Sequence, residues 1–169
     1  MPETILKGIP ASPGITIGKA YLVDSEDITV SRRKITEDDM PDEINRFQEA
    51  LVKTRSEILK IKEKISKDMG AEHGEIFSAH LLVLEDTMLI EEVIAKMKKD
   101  KIGIEYIFLE VLKKYIRTFS KIDDEYLRER ISDINDVGKR VLHNLLGAKQ
   151  ISLADLKEKV IIIAYDLSP

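Results

Sequence analysis

The stretch that decides the fold of this chain is Asp123-Asp-Glu-Tyr-Leu-Arg-Glu-Arg-Ile-Ser-Asp-Ile-Asn-Asp-Val-Gly-Lys-Arg-Val-Leu142. Apolar residues recur in it and just beyond it at steps of four and three, which places them on one face of an amphipathic helix. The residues on this face are Leu127, Ile131, Ile134, Gly138, Val141 and Leu145. Asp123 and Asp124 are typical of a helix start and Gly147 of a helix stop. Gly138 would let a neighbouring backbone come close.

Helical periodicity also fills the chain before this stretch, from about residue 36. A seam of residues at three-four spacing predicts a first helix of about 30 residues, or about 45 Å. Its members are Ile44, Phe47, Leu51, Thr54, Ile58, Ile61 and Ile65. Thr36 and Asp39 resemble a capping box, and Pro41 fits the first turn. A coiled coil would also fit this seam, but the helices that follow favour a bundle.

Three further helices are predicted between the first helix and the deciding stretch, over about 72–84, 87–99 and 103–120. Glu85-Asp86-Thr87 interrupts the helical pattern, and Asp86 or Thr87 should cap the helix that follows. With the helix of the deciding stretch, the chain should therefore contain a bundle of about five helices.

Both ends of the chain read as strands. Within residues 4–33 the alternation of Ile15, Ile17, Ala20 and Leu22 predicts strands, with a bulge at Gly18. At the other end, the β-branched run Val160-Ile-Ile-Ile-Ala164 predicts a strand buried on both faces. Such a strand needs neighbours on each side, so we expect part of its sheet to lie outside a truncated chain.

The predicted fold class is therefore α+β. A helical subdomain over residues 36–147 is inserted into an incomplete α/β domain formed by 1–35 and 148–169.

Composition excludes several classes of function. The chain is 43% apolar and 34% charged, with a net charge of −4 and no cysteine. A slightly acidic balance gives no reason to expect nucleic acid. No apolar run is long enough to span a membrane, and the N-terminus lacks the features of a signal peptide. Without cysteine there are no disulfides or thiolate metal sites, and a cytoplasmic protein is the simplest interpretation.

The three histidines do not form a recognisable catalytic or metal centre. A carboxylate-bridged metal site in a bundle needs glutamate three residues before histidine, but Gly70, Phe77 and Arg140 occupy these positions. There is no glycine-rich phosphate loop of a known kind. Spacing alone therefore predicts no metal site, no bound cofactor and no complete active site.

A docking surface is the functional feature that the residues do suggest. Leu81-Leu-Val-Leu84 places four apolar residues in succession, which is more than one helix face can bury. Either this helix is buried all round, or Leu82 and Val83 face a partner. Acidic residues would rim that patch, namely Glu72, Glu75, Glu85 and Asp86. Such a surface suits a partner with an apolar patch ringed by bases, although ordinary solvated charge is the plainer alternative.

Three strings in the same order and spacing carry a resemblance to a known family. They are Gly8-Ile-Pro-Ala-Ser-Pro-Gly-Ile-Thr-Ile-Gly-Lys-Ala20, Ile76-Phe-Ser-Ala-His-Leu-Leu-Val-Leu-Glu-Asp86, and the deciding stretch itself. Together they resemble the N-terminal region of the Enzyme I family of the bacterial phosphoenolpyruvate-dependent sugar phosphotransferase system. The likeness extends over nearly the whole chain.

The resemblance implies a phosphotransferase parent whose helical subdomain binds the phosphocarrier protein HPr. Phosphoenolpyruvate would phosphorylate a histidine of the α/β phosphohistidine domain, and the phosphoryl group would pass to a histidine of HPr. Phosphoenolpyruvate and magnesium would bind a C-terminal domain outside this chain. The positions implied for docking are Glu72, His73, Glu75, Ser78, Ala79, His80, Leu82, Val83, Leu127 and Arg130.

The family's phosphorylated histidine has no counterpart here. It lies in a Gly-Gly-x-Thr-Ser-His motif soon after the segment that matches Asp166-Leu-Ser-Pro169. We therefore expect this chain alone to be catalytically inactive.

Three alternatives remain open. The first is a fragment of another phosphoenolpyruvate-utilising enzyme, of the synthase or dikinase type, which shares the phosphohistidine domain but lacks the docking insert. A nitrogen-branch paralogue of Enzyme I would dock a specialised HPr. A non-enzymatic helical interaction module would have no role in phosphoryl transfer.

Overall fold

The structure is a computed structural model that describes residues 5–23, 30–121, 125–147 and 158–164, with the backbone alone over 125–130. It divides into two compact units, Met1–Glu26 with Ile151–Pro169 and Asp27–Gln150. The first unit contains the strands and the second the helices, so the predicted α+β class is confirmed.

The first unit contains a two-stranded parallel sheet. Strand β1, Lys19–Val23, pairs with β2, Val160–Ala164, with Lys19 opposite Val160. The predicted C-terminal strand is confirmed, but its burial on both faces is wrong. Ile162 and Ile163, which point to opposite faces, remain 40% and 38% exposed, because the described residues of the first unit include no helix to cover the faces of this sheet.

The strands expected before β1 are not formed. Residues 5–18 have no regular secondary structure, and Ile15 and Ile17 are fully exposed. Pro10 and Pro13 lack the N–H that a sheet ladder needs, and the nearby glycines weaken extended pairing. Gly18 precedes β1, and no bulge forms there.

The second unit contains six helical segments among the described residues. They are α1 (Met40–Met69), α2 (Ala71–Gly74), α3 (Ile76–Leu84), α4 (Thr87–Asp100), α5 (Ile104–Phe119) and α6 (Glu125–Leu146). Helix α1 packs against α3, α5 and α6, while α4 packs on α5. The predicted helices are thus confirmed, except that the second is divided into α2 and α3.

Helix α1 has the predicted length of 30 residues. Asp39 Oδ2 accepts from Thr36 N at 2.8 Å and from Thr36 Oγ1 at 2.7 Å, as the predicted pair requires. The capping box itself is not formed, because the helix begins at Met40 and Asp39, not Thr36, is its N-cap. The polar member of its seam, Thr54, is fully buried. Its hydroxyl donates to Ala50 O at 2.8 Å and accepts from Asn144 Nδ2 at 2.9 Å, so its burial leaves no hydrogen bond unmade.

The core is aliphatic and aromatic, as the seam and the deciding stretch predict. Its most deeply buried apolar side chains come from α1, α4, α5 and α6 and are Phe47, Ile58, Val93, Met97, Ile104, Ile107, Val111, Val137, Val141 and Leu142. Helix α6 ends at Gly147, whose φ of 66° is left-handed, as predicted for a glycine helix stop. Asp123 and Asp124, the predicted start of this helix, lie outside the described residues.

A buried charge cluster joins α1, α5 and the segment that leads into α1. Glu43 is 4% exposed, and its two carboxylate oxygens accept from Arg33 Nη2 at 2.9 Å and Ile104 N at 2.9 Å. Arg46 Nη1 lies 2.6 Å from the same carboxylate and 3.6 Å from that of Glu105. These contacts outweigh the cost of burying the Glu43 carboxylate and hold its pKa below the usual value.

The segment before α1 belongs to the helical unit. Ile35 is buried, its N–H donates to Lys101 O at 3.0 Å, and Gly103 N donates to Arg33 O at 2.8 Å. Sequence periodicity begins only near residue 36, so it does not reveal these contacts. The predicted helical subdomain covers 36–147, with 1–35 and 148–169 outside it. The helical unit of the structure instead covers Asp27–Gln150.

Candidate docking site

The predicted docking helix is broken at Glu75, which separates α2 from α3. Gly70, with φ of 105°, ends α1, and the buried Gly74 lies against its last turns. A β-carbon on Gly74 would lie 3.3 Å from Lys62 O and would also meet the Ser66 side chain. The close approach of α2 to α1 therefore requires glycine at this position.

Helix α3 has a buried face and an exposed face. Phe77, His80 and Leu84 are buried. On the other side Leu82 is 64% exposed and Ala79 is half-buried, while Ile76 at the edge is 54% exposed. The sequence left open whether Leu82 is buried or faces outward, and the structure places it outward.

Val83 differs from Leu82. It is half-buried and packs against the core, where it lines a small apolar cavity together with Phe47, Phe108 and Val141. Since only part of this side chain reaches the surface, Leu82 is the principal apolar group of the exposed face.

The structure buries His80 rather than presenting it to a partner. Its Nε2 lies 3.6 Å from Asp133 Oδ1 on α6, and its ring lies 5.5 Å from that of Phe77. Its Nδ1 is buried with no hydrogen-bond partner among the described residues. This arrangement fits a structural role for His80 between α3 and α6.

Two bridges from α1 hold α3 at its ends. Lys62 Nζ lies 3.3 Å from Glu75 Oε1 and donates to Ser78 Oγ at 2.7 Å. The hydrogen bond from Lys62, with a second from Ser78, lowers the pKa of the Glu75 carboxyl. At the other end, Arg55 Nε donates to Glu85 Oε1 at 3.2 Å.

The other two acids of the predicted rim are Glu72, which precedes Glu75 in sequence, and Asp86, which follows Glu85. Glu72 is exposed on the single turn of α2, beside the exposed His73. Asp86 caps α4 by accepting from Met88 N at 2.9 Å and Leu89 N at 3.1 Å, as the sequence predicted. The side chains of two proposed docking residues, Leu127 and Arg130, lie outside those described.

Three residues beside this site were not indicated by any pattern in the sequence. Arg55 and Lys62 lie on the first helix, away from the strings that carry the resemblance, and Met88 is 74% exposed just beyond the α3–α4 turn. The spacing of seven between Arg55 and Lys62 placed them on one helix face, but no pattern in the sequence showed that α3 packs beside that face.

No group of three histidine or acidic side chains among the described residues is placed to hold a metal ion. None of the helices described is long and apolar enough to cross a bilayer.

A family model described as PEP-utilising enzyme, N-terminal, matches residues 7–130. The chain is 42% identical over 97% of its length to phosphoenolpyruvate-protein phosphotransferase of Bacillus subtilis and 37% identical over 98% to that of Haemophilus influenzae. It spans 28% and 29% of the length of these two relatives.

Two solved structures are similar to the fold described above. A solution structure of Enzyme I matches with a TM-score of 0.79 and 44% identity, covering 98% of this chain and 66% of that one. The N-terminal domain of the nitrogen Enzyme I matches with a TM-score of 0.71 and 26% identity, covering 95% and 65%. The chain is similar in fold to the N-terminal region of Enzyme I. It therefore belongs to the family of phosphoenolpyruvate-utilising enzymes and matches the N-terminal part of that family.

Proposed function

We propose that the exposed face of α2 and α3 docks an HPr-type phosphocarrier protein, within a protein that acts as a phosphoenolpyruvate-protein phosphotransferase. The single observation that carries the docking role is Leu82, a large aliphatic side chain that is 64% exposed on a helix with acidic residues before and after it. An apolar anchor surrounded by a polar rim is the usual form of a specific protein interface.

The role of this module is positioning. Its own residues supply a preformed surface, because the buried Phe77 and Leu84 pack α3 into the core and the bridges from Arg55 and Lys62 orient it beside α1. Holding the carrier in place would bring a phosphohistidine and the acceptor histidine within reach for in-line transfer. Under this proposal the phosphorylated histidine lies beyond Pro169, and phosphoenolpyruvate and magnesium bind a further domain of the same protein, in the cytoplasm.

The docking residues proposed from the sequence now fall into four groups. Leu82, Glu72, His73 and Glu75 are exposed, and Ser78, Ala79 and Val83 are half-buried. His80 is buried, so its contribution would be to hold α3 against α6. Leu127 and Arg130 remain in the proposal on the strength of the family resemblance.

The relatives described above bear on the alternatives. They carry the name phosphoenolpyruvate-protein phosphotransferase, which favours this proposal over a synthase or dikinase. The higher identity to the Enzyme I structure, 44% against 26%, favours the sugar branch over the nitrogen branch. A pull-down with purified HPr separates the proposal from a helical module without a role in phosphoryl transfer.

The proposal is tested by titrating the chain with purified HPr, using calorimetry and amide NMR shifts. Leu82→Asp should weaken binding by at least about 30-fold, because it places an unpaired carboxylate at the centre of the interface. Val52→Asp is the matched control, since Val52 is 69% exposed on α1 and precedes the part of α1 bridged to α3. Wild-type affinity in a folded Leu82→Asp variant would contradict the proposed surface.

A further inference from the structure

The bridges between α1 and α3 establish how these helices run beside each other. Arg55 is joined to Glu85 at 3.2 Å and Lys62 to Ser78 at 2.7 Å. Arg55 precedes Lys62 by seven residues, and Glu85 follows Ser78 by seven. The residue number rises by seven along α1 between the two bridges and falls by seven along α3. The two helices are therefore antiparallel and keep the same register over two turns, or about 10 Å.

Leu59 and Leu82 lie at the middle of this interval. Leu59 follows Arg55 by four residues and precedes Lys62 by three. Likewise, Leu82 follows Ser78 by four residues and precedes Glu85 by three. Residues three and four apart are neighbours on a helix surface. The two leucines therefore lie at the same level, one on each side of the line where α1 and α3 meet.

Both leucines leave apolar surface exposed on that side. Leu59 is 38% exposed and Leu82 is 64% exposed. Leu81, beside Leu82 in sequence, instead packs against the core. A single exposed leucine is ordinary, but two at one level on adjoining helices make a patch wider than one helix.

The charges around this patch define the chemistry of what can cover it. The acids proposed to rim this patch are Glu72, Glu75, Glu85 and Asp86, and the bases Arg55 and Lys62 pair with two of them, Glu85 and Glu75. The acids are in excess by two, so the potential around the patch favours a partner whose apolar surface is ringed by basic groups. The bridges also hold both helices in place before binding, which lowers the entropic cost of docking.

We propose that the docking surface continues from α3 onto α1, where Leu59 forms a second apolar anchor for the same HPr-type carrier. This rests on the proposed function and adds a residue of the first helix to the interface. A carrier that contacts both helices buries Leu59 and Leu82 together, and the Arg55 and Lys62 bridges lie at the two ends of this shared patch.

Calorimetric titration with purified HPr tests the extension, using Leu59→Gln beside Val52→Gln. Both residues lie on the same face of α1, seven apart, but Val52 lies outside the bridged interval. We expect Leu59→Gln to raise the Kd by about five- to twenty-fold and Val52→Gln to change it less than about two-fold. Far-UV circular dichroism checks folding, and Leu59→Ala, which keeps a strong helix former, replaces Leu59→Gln if that variant unfolds.

The possible results separate the two proposals. If Leu82→Asp weakens binding while folded Leu59 variants bind like wild type, the extension onto α1 is wrong and the docking role of α3 stands. If Val52→Gln weakens binding as much as Leu59→Gln, the bridged interval does not define the interface. If wild-type protein does not bind HPr at all, both proposals fail.

Discussion

Gly138 of α6 lies directly against the side chain of Leu112 of α5. A β-carbon at position 138 would overlap both terminal methyl groups of Leu112 and lie 3.1 Å from its Cγ. Leu112 is 3% exposed and therefore surrounded by other core atoms. The sequence predicted that Gly138 admits a neighbouring backbone, which is wrong in detail, because the group admitted is a side chain.

Gly138→Ala should destabilise the helical unit by about 1–2 kcal/mol. Overpacking a core costs about 1–3 kcal/mol, and the better helix propensity of alanine returns up to about 1. Urea denaturation followed by circular dichroism measures the change. In a Leu112→Ala background the same substitution should become neutral or stabilising, because the overlapping methyl groups are gone. An equal cost in both backgrounds would show that Leu112 is not the obstacle.

Glu43→Gln should cost about 2–4 kcal/mol of stability at pH 7. The change replaces the carboxylate that accepts hydrogen bonds from Arg33 and Arg46 with a neutral amide, so that Glu105 is the one buried carboxylate left to both guanidinium groups among the described residues. As a control, Glu63→Gln removes an exposed acid of α1 that pairs with Lys67, and its effect should be far smaller. Comparable losses in the two variants would argue against the buried cluster as a source of stability.

The Glu43 effect should also depend on pH in a definite direction. Because the pKa of this carboxyl is lowered in the folded protein, its contribution is present above the unfolded value of about 4.3. It is lost as the pH falls through the folded value. The stability difference between wild type and Glu43→Gln should therefore be large at neutral pH and shrink in acid. A difference that grows in acid would mean that the folded-state pKa is raised instead.

Two substitutions at Asp86 separate its capping role from its charge. Asp86→Ala removes the acceptor for Met88 N and Leu89 N and should destabilise the protein by about 1 kcal/mol. Asp86→Asn keeps a good cap and should leave stability nearly unchanged. Both remove a rim acid, so both should weaken HPr binding modestly and reduce its salt dependence. Equal stability loss in the two variants would show that the cap is not the stabilising feature.

Helical segments and their boundaries followed from local features. The seam from Ile44 to Ile65 predicted a first helix of the observed length, and Asp86 and Gly147 marked a start and a stop. These signals depend on residues within one or two turns of each other, so a linear pattern contains them. The break at Glu75 was missed because its cause, Gly74 packed on the end of α1, is a contact between helices.

The candidate site was predicted less completely than the helices. Sequence identified Leu82 and the acids around it, but left open whether four consecutive apolar residues were buried. It included His80, which the structure buries against α6, and it missed Arg55 and Lys62 on α1. Exposure depends on which neighbouring helix covers a residue, and periodicity gives the position of a residue on its own helix only.

The sequence by itself determined the class of fold, the positions of the helices and strand β2, and the family resemblance, because each follows from short-range periodicity, capping residues or extended strings. Only the tertiary structure decided that Leu82 faces outward, that Glu43 and Glu105 share a buried charge cluster, and that Leu59 lies level with Leu82. These relationships join residues that are far apart in the chain. They are fixed by how helices pack and which charges pair across them, and local patterns do not encode this.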